Sequence, residues 1–164
     1  MKRVIFISLF FLCLIHLLLA VGKPDVPQIS IVPKPVSLTV KPGKFIINNQ
    51  TVLLISSGNK EMLRVAHCFA DQMHQAGDID LIVREITKDE KTRNVIVFTQ
   101  AKGKTDYGSE GYELKVTSKQ IRINAENGAG WFYGIQSLLQ LLPAEVCQSS
   151  ATITEKKWEV PCVW

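Results

Sequence analysis

The chain has 164 residues, with 19 Lys or Arg against 15 Asp or Glu and a net charge of +4 when histidines are neutral. No basic stripe interleaved with aromatic residues is present, which excludes a nucleic-acid binder of the usual kind. Four cysteines without a CxxC pair give no support to a zinc knuckle.

Met1-Lys2-Arg3 sets positive charge ahead of Val4–Ala20, an almost wholly apolar run. Ala20 and Gly22 stand at the spacing a signal peptidase accepts. The layout predicts a secretory signal peptide over 1–22, cleaved after Gly22 or, as an alternative, after Ala20. An uncleaved anchor is the rival reading, since a run of about 17 apolar residues can just span a bilayer. His16, near the middle of the run, argues against a stable span, and Leu12 is too bulky for a lipoprotein site at Cys13. Cleavage leaves 142 residues carrying 17 basic and 15 acidic side chains. That is enough for one domain with a core, exported to the periplasm or beyond the cell and free of the membrane. In an exported chain Cys147 and Cys162 can close a short disulfide loop, while Cys68 is expected as a buried thiol on a helix.

Four prolines between Gly22 and Pro35 mark an extended lead-in, placed over 23–30, ahead of a domain over 31–143. Ser37–Ile47 is expected to be a hairpin turning at Lys41-Pro42-Gly43-Lys44. Thr51–Ile55 is a buried strand. Met62, Ala66, Phe69 and Met73 then recur at helical spacing, so Lys60–Ala76 is expected as an amphipathic helix with Asn59 as N-cap and Gly77 as its stop. Asp80–Ile86 and Asn94–Thr99 are strands separated by the charged turn Lys88–Lys91. Tyr112, Leu114 and Val116 alternate, and Ile121 and Ile123 alternate after Ser118-Lys119, giving a second hairpin. At Asn127-Gly128 the chain enters a helix lined by Trp131, Ile135, Leu138, Leu139 and Leu142 and ended by Pro143. A polar tail follows, and 144–164 is expected to be a connector, apolar again from Trp158. The order predicts an α/β (α+β) fold, a mixed or antiparallel sheet with two helices packed on one face.

Gly111-Tyr112-Glu113-Leu114-Lys115-Val116, Ile121-Arg122-Ile123-Asn124-Ala125 and Gly128-Ala129-Gly130-Trp131-Phe132-Tyr133-Gly134-Ile135-Gln136-Ser137-Leu138-Leu139-Gln140-Leu141-Leu142-Pro143 together resemble the small domain that precedes the barrel in glycoside hydrolase family 20 β-N-acetylhexosaminidases. Ile31-Val32-Pro33-Lys34-Pro35 resembles the start of that domain, and the likeness runs over Ile29–Val163. It implies a domain of an enzyme that removes terminal N-acetylglucosamine or N-acetylgalactosamine. In that family the sugar's own acetamide oxygen attacks the anomeric carbon, an Asp orients it, and an adjacent Glu protonates the leaving oxygen. The Asp–Glu pair sits on a barrel, within a stretch like His-x-Gly-Gly-Asp-Glu that this sequence does not contain. The barrel opens with a segment resembling Asp-x-Pro-x-Phe-x-x-Arg-Gly, and the sequence reaches Val160-Pro161-Cys162-Val163-Trp164 just ahead of it. The TIM barrel is therefore expected to be absent and these 164 residues to be inactive alone, with no catalytic, cofactor or metal residues of their own.

Several residues invite a different reading. Asp89-Glu90 is an adjacent acidic pair, but it lies in Lys88-Asp89-Glu90-Lys91, a solvated turn whose charges cancel; a general acid needs burial or a like charge to raise its pKa. His67, Asp71 and His74 share one side of a helix, outside the buried stripe, and suit an exposed polar face better than a metal site. Gly128-x-Gly130-x-x-x-Gly134 follows a strand and opens a helix, the context of a phosphate cradle, yet its spacing misses the dinucleotide pattern and Trp131-Phe132-Tyr133 fills the space. The glycines are expected to serve a tight turn and close packing. Asn49-Gln50-Thr51 is a glycosylation sequon. Trp131, Tyr133, Trp158 and Trp164 are expected at a seam with the barrel of the same polypeptide, through which alone a glycan substrate would be met. The rival readings are a free-standing carbohydrate-binding domain and a membrane-anchored interaction domain.

Overall fold

The computed structural model describes residues 29–87, 93–102, 108–144 and 158–164. Its larger sheet is built from β2 (Val52–Ile55), β3 (Ile82–Glu85), β4 (Val95–Gln100), β5 (Tyr112–Val116) and β6 (Gln120–Ala125), in the order β3-β2-β4-β6-β5. β2, β3, β4 and β6 run parallel, and β5 returns antiparallel to β6 with Val116 opposite Ile121. β3 and β4 lie on opposite sides of β2, so the chain between them is a crossover rather than a hairpin. The charged turn Lys88–Lys91 in that connection falls outside the described residues.

Helix α1 (Lys60–Gly77) begins where Asn59 accepts a hydrogen bond from the Met62 amide, 2.9 Å away, satisfying an amide that the helix itself leaves free. Its apolar stripe behaves as the spacing requires: Met62, Ala66, Phe69 and Met73 are buried. Full burial of a side chain the size of Met62, Phe69 or Met73 stabilises by about 1.5–3 kcal/mol. Cys68 departs from expectation and is exposed. Two residues beyond Ala66 it has turned about 200° around the helix, away from the stripe.

The end of α1 also differs. Gly77 stays in the helix, and Asp78 adopts the left-handed conformation (φ 54°) with its amide bonded to the His74 carbonyl at 2.8 Å. Gly77 is needed for another reason. A Cβ there would overlap the Trp158 ring, which packs against the last turn.

The first expected hairpin is a single strand, β1 (Val40–Ile46), paired antiparallel with β7 (Glu159–Val163). Lys41-Pro42-Gly43-Lys44 turns no corner. It forms an irregularity inside β1, where the register moves from Val40 opposite Val163 to Lys44 opposite Pro161. Pro42 has no amide to give the ladder, and Gly43 takes the positive φ (104°) that the extra residues require. The tail expected as a connector thus carries a strand at its end, and its Trp158 and Val160 enter the core beside Phe45 and Ile47.

Helix α2 (Gly128–Gln140) packs beside α1 on the same face of the sheet. Between helices and sheet lies one core containing Leu53, Ile55, Phe69, Ile96, Phe98, Ile121, Ile123, Trp131 and Leu138. Leu54, Val95 and Val97 form a small separate cluster on the opposite face. The lead-in is tied to α2: Gln140 accepts from the Val32 amide at 2.8 Å and donates to the Val32 carbonyl at 3.0 Å. The architecture is a mixed sheet with two helices on one face, and no closed barrel is formed among the described residues.

Candidate functional site

In open sheets with parallel strands, ligands settle outside the carboxyl ends of the strands, where helix amides are also presented. Here β2, β4 and β6 end at Ile55, Gln100 and Ala125, and both α1 and α2 begin at that edge. The polar groups there are turned on one another. Asn59 donates from Nδ2 to Gln100 Oε1 at 3.0 Å, and Gln100 Nε2 donates in turn to the Glu126 carbonyl. Glu85 accepts from the Gly58 amide at 3.0 Å and from the Ser57 hydroxyl at 2.6 Å, tying the β2–α1 loop to the end of β3.

Those two bonds favour the ionised carboxylate, so the Gly58 amide, followed by the Ser57 hydroxyl, holds the Glu85 carboxyl below its usual value of 4.5. That is the opposite of what a general acid needs. A depressed folded-state pKa means that the unfolded chain binds the proton more readily. The clamp therefore contributes stability above the ordinary carboxylate range and loses it as pH falls through the folded value. Thermal melts of Glu85→Gln between pH 7 and 3 are expected to show a shallower acid limb than the parent; identical slopes would refute the clamp.

The glycine-rich segment at the start of α2 is occupied by the protein itself. A Cβ on Gly128 would run into the Glu61 carboxylate, and one on Gly130 would overlap the Gly111 carbonyl and lie 2.6 Å from the Ala125 Cβ. One on Gly134 would lie 2.5 Å from Ile123 Cγ2. None of the three has a positive φ, so each is small because something packs where a side chain would be. A carboxylate against Gly128 leaves no place for a phosphate. Trp131 is buried and donates from its indole nitrogen to the Thr99 carbonyl at 3.0 Å, pinning α2 to β4. Tyr112 and Ser137 share a hydrogen bond between β5 and the middle of α2.

The residues expected at a seam divide into two kinds. Trp131 and Trp158 are inside this chain's own core, whereas Tyr133 is 43% exposed and Trp164 52% exposed. Phe132, 42% exposed and edge-on to Tyr133, belongs with the second kind. The helical spacing that assigns Trp131 to the core also puts Phe132 outside, but three consecutive aromatics obscure the boundary. Trp164 is held by reciprocal main-chain bonds with Thr39, at 2.7 and 2.9 Å.

His67, Asp71 and His74 are all exposed. His74 Nδ1 pairs with Asp80 at 2.9 Å, and no group of three metal-ligating side chains gathers among the described residues. Asp89, Glu90 and Cys147 lie outside those residues. Cys162 is buried, with a free thiol whose pKa burial pushes up. In the sequon, Thr51 is buried: its hydroxyl donates to Asn94 Oδ1 at 2.8 Å and accepts from the Asn48 amide at 3.0 Å, so the fold alone accounts for a threonine there.

Comparison with known proteins agrees with the topology. Residues 28–163 match the model of glycosyl hydrolase family 20, domain 2. A β-hexosaminidase of Porphyromonas gingivalis is 29% identical over 160 residues, covering 93% of this chain and 20% of its own length. The N-acetyl-β-hexosaminidase of Streptomyces plicatus is 29% identical with a TM-score of 0.67, over 81% of this chain and 25% of that one. The family 20 β-N-acetylhexosaminidase of Streptomyces coelicolor is 26% identical with a TM-score of 0.59, over 79% and 24% respectively. The chain spans about a fifth to a quarter of the relatives it matches. A mixed sheet under two helices, matched over nearly its whole described length, makes this chain a member of glycosyl hydrolase family 20, corresponding to the family's domain 2.

Proposed function

We propose that this chain is the non-catalytic domain of an exported β-N-acetylhexosaminidase, inactive alone and built to pack against a catalytic barrel in the same polypeptide. The match of 28–163 to domain 2 of the family carries this reading. Relatives named for β-hexosaminidase activity are four to five times as long as the stretch they share with it. The barrel would supply the Asp–Glu pair and the acetamide-assisted hydrolysis. Export through a signal peptide over 1–22 belongs to the same reading.

The outer side of α2 is the face this reading assigns to the barrel. Phe132 and Tyr133 are large, exposed and adjacent, with Gln136 and part-buried Leu139 following at helical spacing. An apolar patch of this kind on a small domain marks an interface. The experiment mixes the chain with the Porphyromonas gingivalis relative's remaining portion. The chain alone should release no product from a chromogenic N-acetylglucosaminide. The mixture should form a complex, and Phe132→Ser with Tyr133→Ser should weaken it roughly tenfold without lowering the chain's own Tm. Turnover by the chain alone would overturn the non-catalytic assignment, and an unaffected complex would move the seam elsewhere.

A further inference from the structure

The side of the sheet away from the helices carries a cluster of positive charge that the sequence disperses over three strands. On β5 and β6, Leu114, Val116, Ile121 and Ile123 point to the helices, so Lys115 and Arg122 point the other way. These two are direct cross-strand partners. Like charges placed opposite each other cost stability, so their pairing wants an explanation outside the sheet. Lys41 of β1 adds a third cation: its ammonium lies 4.9 Å from the centre of the Trp164 ring, and that of Lys115 lies 4.0 Å from it. The indole therefore gathers the ends of β1, β5 and β7, with cations around it. None of Lys41, Lys115 and Arg122 has a carboxylate partner among the described residues. Glu113, on the same face of β5 opposite Asn124, is the acidic side chain nearest in register.

We propose that Lys41 and Lys115 at the Trp164 ring, with Arg122 beside Lys115 across the β5–β6 pair, form a docking face for an acidic polysaccharide, binding its carboxylate or sulfate groups. Charge complementarity names the partner as anionic. A flat sheet face with fixed, separate cations suits a polymer bearing charges at regular intervals, and needs no pocket. Among anionic polymers, a glycan is chosen because the chain belongs to a family of glycosidases, and in this respect the inference rests on the functional reading above. The face lies on the opposite side of the sheet from α2, so polymer and barrel could be bound together. Its role would be to hold hexosamine-containing acidic chains near the enzyme.

The test uses the full chain at low ionic strength with four probes: hyaluronate, a neutral chitin oligosaccharide, polyglutamate, and vesicles containing phosphatidylglycerol. Lys41→Gln with Lys115→Gln and Arg122→Gln is compared with a control of equal charge, Lys34→Gln with Lys60→Gln and Arg64→Gln. Hyaluronate binding is expected to fall roughly tenfold in the first triple variant and little in the second, each exposed contact being modest and their sum measurable. Equal losses in the two would reduce the face to net charge and overturn the proposal. So would absence of binding, or a face-dependent binding of polyglutamate or vesicles that exceeds hyaluronate, which would give the face to a protein or a membrane. Thermal melts of both variants guard against unfolding. Mixing with a barrel tests the family reading without this face, so either can fail alone.

Discussion

Replacing Trp131 with alanine is expected to cost the domain most of its stability. The ring is fully buried between α2 and the sheet, and truncating a buried tryptophan costs about 3–5 kcal/mol. The change also leaves the Thr99 carbonyl without the indole donor, adding on the order of 1–3 kcal/mol where no water can replace it. A small domain is stable by only about 5–15 kcal/mol. Urea unfolding followed by circular dichroism should place the midpoint far below that of the parent, or show no folded baseline. Trp131→Phe restores most of the volume and removes only the donor, so its loss should be a fraction of the alanine variant's. If both variants behave alike, the indole bond carries the stability and the packing account is wrong. If neither shifts the midpoint, Trp131 does not join α2 to β4.

The second large effect has a sign that distinguishes it from ordinary helix energetics. In an exposed helix interior, exchanging glycine for alanine gains about 0.5–1 kcal/mol. Gly130→Ala is expected to lose instead, by about 1–3 kcal/mol or more, because the new methyl meets the Gly111 carbonyl and the Ala125 methyl. The carbonyl is main chain and can yield only by moving the start of β5. Adding Ala125→Gly to Gly130→Ala should recover part of the loss and no more, since the carbonyl remains. Stability equal to or above the parent's in Gly130→Ala would show that α2 can draw back from the sheet at no cost.

The reach of sequence reasoning follows the range of the interactions that decide each element. α1 and α2, the strands β3 and β4 after α1, and the β5–β6 hairpin are settled within a few residues, by periodicity, a cap at Asn59 and the alternation of Ile121 and Ile123. They were legible. β1 is settled by a strand that lies across the whole domain in sequence, so Pro42-Gly43 reads locally as a turn and is held in a strand. Gly77 shows the same limit. Glycine near a helix end suggests a left-handed cap, but Trp158 decides its role and Asp78 does the capping. The bulk of Trp131-Phe132-Tyr133 marks the three glycines of α2 as packing residues, but that Glu61 fills the place of a ligand is decided by a side chain from another helix. The cationic face was invisible for a related reason. Lys41, Lys115 and Arg122 are unremarkable in sequence and meet only through strand register.

The pairing of β1 with β7 has a consequence for how the molecule is made. Lys44 and Glu159, ion-paired at 2.7 Å, are 115 positions apart. A ribosome adding roughly 5–20 residues each second needs about 6–23 s to synthesise that interval. Throughout it β1 has no partner strand, and Phe45 and Ile47 lack Val160 and Trp158 against which to bury. Local elements can form early, but closure of the ribbon is a late, long-range event with a large loop entropy to overcome. Until it closes, the unsatisfied β1 edge is the point where nascent chains would stick to one another.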